Sequence, residues 1–308
     1  MYSVSDVLHG LRDPTAVIRE ANRLCHTQGR RREYNPRGID VFGADWDNLI
    51  LLDACRYDYF EACHDLPGRL EARTSRGGAT YEFVRANFTD RTLHDVVYVT
   101  TNSWYVRLRD ELGSELHDVI DLHLDPEGTY HDDEFKIVMP DTLAEQARAA
   151  ADRYPNKRLL IHYIQPHHPF VGPTGREHFG HPSSALREVF DAAEDATLET
   201  LRRAYRENIE IALDSVAELL PDLPGKTVVS ADHGEMLGER HDFLPMRDIG
   251  HHEGIYNEAL TRVPWHVIEG NGRKRIVPEP PQSKPDVDAG RVERRLADLG
   301  YIVGDTED

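Results

Sequence analysis

An α/β fold with a mostly parallel sheet sandwiched between helices is predicted by three short apolar runs, each of strand length and each ending in side chains suited to chemistry. The runs are Asn48 to Asp53, Leu159 to Ile164 leading into Gln165 to Phe170, and Thr227 to Ser230 leading into Asp232, His233 and Gly234. A continuous apolar run between polar flanks suits a parallel strand covered on both faces; a strand with one wet face would alternate. The covering layer is supplied by Glu188 to Leu220, a long helical stretch whose Leu198, Leu201, Tyr205, Ile209, Ala212, Val216 and Leu219 form one stripe. That stripe reads as a sheet-packing face.

The remaining elements follow in order. Residues 1–40 are Arg-rich, end at Pro36 to Gly38, and read as an N-terminal helical arm with a turn before the first strand. One continuous domain over 41–277, which carries all three apolar runs, comes next. Within it, Tyr81 to Asn87 reads as a helix behind the Gly-rich stretch Arg73 to Thr80, and Asp95 to Thr100 as a further strand. Asp141 to Tyr154 reads as a helix capped by Asp141. Pro278 to Pro285 forms a Pro-rich linker, and Val287 to Leu299 a last charged helix, so that 278–308 makes a C-terminal extension. No internal repeat is present.

In open α/β sheets, ligands collect at the carboxyl ends of the strands. The adjacent Asp232 and His233 stand at such an end, and a carboxylate beside an imidazole suits a divalent cation. Gly234 breaks the strand, which lets both side chains turn toward one centre. Asp53 ends the first strand and, in a doubly wound sheet, can face Asp232. The plainer alternatives are that Asp232 and Asp53 cap the turns that follow them and that His233 is a surface histidine. In the third segment Pro166 and Pro169 bracket His167 and His168, which makes a rigid loop that presents imidazoles.

These segments, in this order, together with Ser230 to Glu239, Gly250 to Glu258, Arg262 to Pro264 and the closing Leu296 to Ile302, resemble the alkaline phosphatase superfamily, in particular its sulfatase-like branch. The resemblance spans residues 45–302. It implies that Asp53, Asp232 and His233 hold a divalent metal ion, which would lower the pKa of a hydroxyl nucleophile. In-line attack on phosphorus or sulfur would then form a covalent enzyme ester that water releases. His167, which matches the first histidine of a Pro-His-x-Pro loop, would stabilise charge or protonate the leaving oxygen. His251 is a second candidate for that role or for a metal contact. His168, His252 and the rest of the 17 histidines read as surface residues. The metal can be Zn, Mn, Mg or Ca; the histidine ligand leans toward Zn or Mn.

The nucleophile is open to choice. A formylglycine sulfatase needs cysteine in a Cys-x-Pro-x-Arg setting, and none of Cys25, Cys55 and Cys63 has proline two residues on. Ala54 also follows Asp53 where that pattern doubles the aspartate. A Ser or Thr nucleophile is therefore expected. Thr80 is preferred, because two glycines precede it and a helix N-terminus would favour an anion there. Ser75 is the alternative, and a Gly-rich turn with Thr80 as an ordinary cap is the non-catalytic one. Arg56 and Arg76 can meet an oxyanion, but in a chain with 31 arginines they stay outside the site. The expected activity is hydrolysis of phosphate mono- or diesters of small molecules, glycans or lipid headgroups. Sulfate-ester hydrolysis, phospho-group transfer and a non-catalytic anion- or partner-binding role remain alternatives.

Composition narrows the partners. Among 308 residues, 55 Asp and Glu oppose 36 Lys and Arg, and only five of the bases are lysine. A net charge of −19 disfavours nucleic acid, which wants a basic footprint. No apolar stretch has the length of a membrane span. Three cysteines and an N-terminus without a hydrophobic signal region suggest a cytoplasmic, reduced setting, with the cysteines as core fillers. The acidic excess resembles halophilic composition, since molar salt shortens the screening length to roughly 3 Å and makes such a surface tolerable. The melting temperature is then expected to rise from low salt to molar KCl; a flat or falling trend in a salt-series thermal melt would mark an ordinary acidic surface.

Overall fold

Parity along the central strands divides the apolar residues between two faces, and that division builds two separate cores. In the computed structural model, which describes residues 14–125, 127–180, 185–282 and 289–300, the elements run α1 (Pro14–His26), β1 (Asn48–Asp53), α2 (Tyr57–Cys63), β2 (Arg69–Thr74), α3 (Thr80–Phe88), β3 (Thr92–Thr100), α4 (Trp104–Leu112) and β4 (Glu115–Asp121). There follow α5 (Pro140–Arg153), β5 (Arg158–Pro166), α6 (Pro173–His178), α7 (Leu186–Ala192), α8 (Leu198–Leu219), β6 (Thr227–Ser230), β7 (Met236–Arg240), β8 (Arg247–Gly250), α9 (Glu258–Thr261), β9 (Arg262–Ile268) and α10 (Ala289–Asp298).

Seven strands form one sheet in the order β2-β9-β6-β1-β5-β3-β4, with only β9 antiparallel to its neighbours. Ile50, Leu52, Val97, Val99, Leu159 and Ile161 pack on one side with Leu143 and Ala147 of α5 and Leu201, Ile209 and Val216 of α8. Leu49, Leu51, Val96, Tyr98 and Leu160 pack on the other with Val84 and Phe88 of α3 and Leu108 and Leu112 of α4. The expected sandwich is present. Continuous apolar runs made it legible, because both faces of β1 and β5 are covered.

Several local expectations are corrected. The helix expected over Glu188 to Leu220 is two helices: α7 ends at Ala192, and Thr197 then caps α8 by exchanging hydrogen bonds with Thr200. Such short hydroxyl side chains offer the backbone a local alternative to continued helix. The α5 helix starts at Pro140, with Met139 as its N-cap, so Asp141 lies in the first turn and favours the helix dipole without capping. Cys55 is buried, but Cys25 is exposed and Cys63 half-buried, so they are not uniformly core fillers. His168 is buried, contrary to the surface reading. Pro278 to Gln282 is pinned to the sheet side by Glu279 N donating to the His94 carbonyl and Gln282 N to that of His117. Residues 1–13 of the arm, 283–288 and the closing Tyr301 and Ile302 lie outside the described residues. No helix among the described residues is long and apolar enough to cross a membrane.

The arm is docked. Arg19 of α1 donates two hydrogen bonds, of 2.8 and 3.1 Å, to the buried Asp248 of β8. Asn22 accepts from Phe243 N and Leu244 N in the β7–β8 turn. His241 and His252 also approach Asp248, at 2.9 and 3.1 Å. Burial opposes the charge of Asp248, but hydrogen bonds from His241, His252 and Arg19 prevail and hold it well below the usual carboxylate range. Its folded pKa is depressed, so its stabilisation is present above about pH 4 and fades on acidification. Asp248→Asn is expected to cost about 1.5–3 kcal/mol at pH 7 and less as the pH falls below about 4, read by denaturant unfolding across pH. A variant as stable as wild type at pH 7 would show that the arm is held by other contacts.

Candidate active site

Four strand ends converge on one buried centre. Asp53 closes β1, Asn102 follows β3, His162 and His167 lie in and just beyond β5, and Asp232 and His233 follow β6. Pairing of β1 with β5 sets Asp53 opposite Pro166, and His167 N donates to the Asp53 carbonyl at 3.1 Å. Ala54 next to Asp53 has a φ of 61°, a conformation that costs a non-glycine residue on the order of 1 kcal/mol. Tyr205 of α8 braces it: the hydroxyl donates to the Ala54 carbonyl at 2.6 Å and accepts from Arg56 N at 2.9 Å. Gly234 has a role other than the expected one. A Cβ there would run into the Ala259 carbonyl oxygen, so glycine permits close approach to α9 rather than a special backbone angle.

Asp53, Asp232 and His233 are all fully buried, and ligand atoms from the three lie within 4.8 Å of one another. Asn102, missed in the sequence, donates from Nδ2 to Asp53 Oδ2 at 2.7 Å and fixes that carboxylate. Asp232 Oδ1 accepts from Ala54 N and His233 N, but Asp232 Oδ2 has no hydrogen-bond partner among the described residues. His233 Nε2 lies 3.5 Å from this oxygen and 3.5 Å from Asp53 Oδ1. Its Nδ1 sits 2.7 Å from the Gly234 carbonyl, which can only accept, so the proton is on Nδ1 and Nε2 offers a lone pair inward. Burial pushes the His233 imidazole down to about 3 and keeps it neutral. His162, also missed, points Nε2 to within 3.9 Å of Asp53 and 3.8 Å of Asp232, while Tyr98 holds its Nδ1. A partnerless buried oxygen, two carboxylates and a neutral imidazole make a donor set that fits a divalent cation.

Thr80 is brought to this centre. It is the first residue of α3, with Ala79 as the N-cap, and its Oγ1 lies 3.1 Å from His233 Nε2 and 3.4 and 3.5 Å from the Asp53 oxygens. Ser75 is placed differently. Its Oγ donates to the Asp232 carbonyl and accepts from Gly77 N at 3.1 Å, which ties the glycine loop to the end of β6. Arg56 is held by Asp58 and Glu239, and Arg76 donates to the Ala86 carbonyl, so neither guanidinium is engaged with the centre.

A second group stands alongside. His167, Glu235 and His251 bring ligand atoms within 4.8 Å of one another. The His251 ring lies tilted, its centroid 4.5 Å from that of His233 and 5.2 Å from that of His167. Burial works against its charge, but Glu235, 3.2 Å from Nδ1, raises its pKa. His167 is driven well below the usual histidine range by burial and by its histidine neighbours. Glu235 lies two residues beyond His233, and that spacing was its available signal. A cleft of about 390 Å³ opens over the centre, lined by Thr80, Tyr81, Trp104, His167, Arg187 and His251.

Asp232→Asn keeps the oxygen that accepts from Ala54 and His233 and removes the inward charge. Metal-free Asp232→Asn is expected to melt at or above the metal-free wild type, since it relieves two buried carboxylates, and to lack the melting-temperature rise expected when zinc or manganese is added to wild type. An undiminished rise in the variant, measured by calorimetry, would remove Asp232 from the metal site.

No family model matches the sequence, and no curated protein matches it. Solved structures do resemble it. The soluble domain of lipooligosaccharide phosphoethanolamine transferase A from Neisseria meningitidis is similar at 14% identity with a TM-score of 0.48, over 73% of this chain and 76% of that one. A protein in the alkaline phosphatase superfamily from Vibrio parahaemolyticus is similar at 10% identity and 0.45, over 82% and 70%. A 2-O GAG sulfatase is similar at 15% identity and 0.40, over 84% and 71%.

Proposed function

We propose that the chain is a metal-dependent hydrolase of phosphate mono- or diesters, of the alkaline phosphatase type, that works through a covalent ester on Thr80. One observation carries the reading: Thr80 Oγ1 stands 3.1 Å from His233 Nε2 at the start of α3, against the buried Asp53 and Asp232. Asp53, Asp232 and His233 would hold the cation, and a bound divalent ion there supplies a Lewis acid that lowers the pKa of a hydroxyl and offsets phosphate charge. The Asp, Asp, His donor set favours Zn or Mn over Ca.

The residues then take these parts. Thr80 Oγ gives up its proton to solvent in the cleft and bonds to phosphorus while the bond from phosphorus to the leaving oxygen breaks. That oxygen takes a proton from His251, whose charged form Glu235 favours, while His167, kept neutral, stands on the same side of the cleft. Water next attacks phosphorus and gives a proton back to His251, the bond to Thr80 Oγ breaks, and a proton from solvent restores the hydroxyl. Asn102 keeps Asp53 oriented throughout, and Arg187, ion-paired with Asp191 at 3.0 Å, lines the cleft. The phosphate branch is favoured over a formylglycine sulfatase because Cys55 is packed in the core below the sheet end rather than along the cleft. Substrates of headgroup or glycan type suit a cleft of this size.

A second cation at His167, Glu235 and His251 is the alternative use of the histidine side, favoured by the convergence of their ligand atoms. Metal analysis giving two ions per chain, falling to one in His251→Ala, would establish it.

Thr80→Ala is expected to lower turnover of aryl phosphate or phosphodiester by about 10³-fold or more, while Thr80→Ser retains measurable activity. Acid quenching followed by peptide mass analysis should find phosphate on residue 80. A label on Ser75 would move the nucleophile, aryl sulfate turned over in preference would change the branch, and neither adduct nor turnover with any metal would favour a binding role.

A further inference from the structure

Glu82 sits two residues beyond Thr80 and is buried, yet no step above uses it. Its carboxylate is shared between two segments of chain. Oε2 accepts from Gly78 N at 2.9 Å, within the loop that precedes Thr80. Oε1 accepts from Gly254 N at 2.9 Å and from Tyr256 Oη at 2.9 Å, both in the loop that begins with His251. The two loops also touch directly. A Cβ on Gly78 would run into the Ile255 carbonyl oxygen, so only glycine lets the backbones meet at this distance. On its far side, Gly254 is backed by Arg23 of α1 and by Thr27 just beyond it.

Reaching back from the third helical position to an amide before the helix is ordinary capping behaviour and explains one of these bonds. Capping does not explain the other two, which span about 170 residues of sequence and are made by the opposite oxygen. From this division we infer that Glu82 is a positioning residue for the ester chemistry, setting the nucleophile segment 77–80 against the loop that carries His251. The inference rests on the proposed function for what is positioned, but the bridge itself is independent of it.

The physical need is plain. His251 belongs to a loop without regular structure, and Thr80 opens a nine-residue helix that follows a glycine loop. Ser75 fixes that loop to the Asp232 carbonyl on one side, and Glu82 fixes it to the His251 loop on the other. An error of about 1 Å between reacting groups can cost roughly 100-fold in rate. A carboxylate with two acceptor oxygens suits the task, and the neutral amide of glutamine does not. Glutamine has one acceptor oxygen and one donor group, so in either rotamer it faces one of the loops with N–H against N–H or O–H.

The test compares wild type, Glu82→Gln and Tyr256→Phe with the proper metal bound. In Glu82→Gln, kcat on an aryl phosphate is expected to fall by about 10- to 100-fold with KM within about threefold and metal content unchanged. Tyr256→Phe, which removes one of three bonds, should shift kcat the same way by a smaller factor and serves if the glutamine variant folds poorly. Hydrogen exchange should rise in Glu82→Gln at the amides of Gly78, Gly254 or both, without a general rise elsewhere. A kcat within twofold of wild type in Glu82→Gln, or exchange unchanged in both segments, overturns the inference. If wild type itself turns over no phosphate ester, the proposed function has failed and the positioning role falls with it; an active wild type with an indifferent Glu82 fails this inference alone.

Discussion

Two carboxylates buried side by side at the ends of adjacent strands are the constraint on which the rest of this molecule depends. Asp53 and Asp232 are fully excluded from solvent, and their oxygens share a space with two imidazoles that burial keeps neutral. Removing an ion from water costs several kcal/mol even after relaxation. Without a cation, such a pair is a standing liability. A fold that keeps it must surround it with groups that cannot collapse onto it, and the rigid sheet ends provide this.

The sheet order explains why these donors meet. With β1 between β6 and β5, the carboxyl ends of three parallel strands deliver Asp53, His167 and the Asp232–His233 pair to one edge, and β3 adds Asn102 from one strand further. Each donor is then oriented by a second contact. Tyr205 supports the turn after Asp53, the Gly234 carbonyl sets the tautomer of His233, and Asn102 holds the Asp53 carboxylate. Metal-site geometry is commonly tuned by such outer contacts. Here they come from α8, from the backbone and from β3, so packing of the large core and shape of the site are not separable.

Around this rigid centre lies a less regular shell that supplies the hydroxyl and the histidine side. Ser75 ties the glycine loop before α3 to the end of β6, Glu82 ties it to the segment from His251 to Tyr256, and His252 brings that segment to Asp248 of the β7–β8 hairpin. The α1 helix closes the outside of this shell through Arg19 and Asn22. Its role is therefore to back the active-site loops, although its own sequence reads only as an Arg-rich arm.

The layered architecture, and the strand ends at which the candidate ligands converge, were legible in the sequence. Apolar runs such as Asn48 to Asp53 report burial on both faces, and a charged residue at the end of such a run has few other places to be. It could not show that Asn102, His162 and Glu235 join the centre. Asn102 and His162 carry no local pattern, because one follows an ordinary strand and the other lies inside an apolar one, and strand order alone brings them to Asp53. Nor could it separate Thr80 from Ser75, five residues apart in the same Gly-rich stretch. Tertiary structure decided between their positions by turning one hydroxyl to His233 and the other to a backbone carbonyl. The physical reason is range: burial is written in neighbouring residues, whereas the direction of a side chain in a shared site is set by partners more than a hundred residues away.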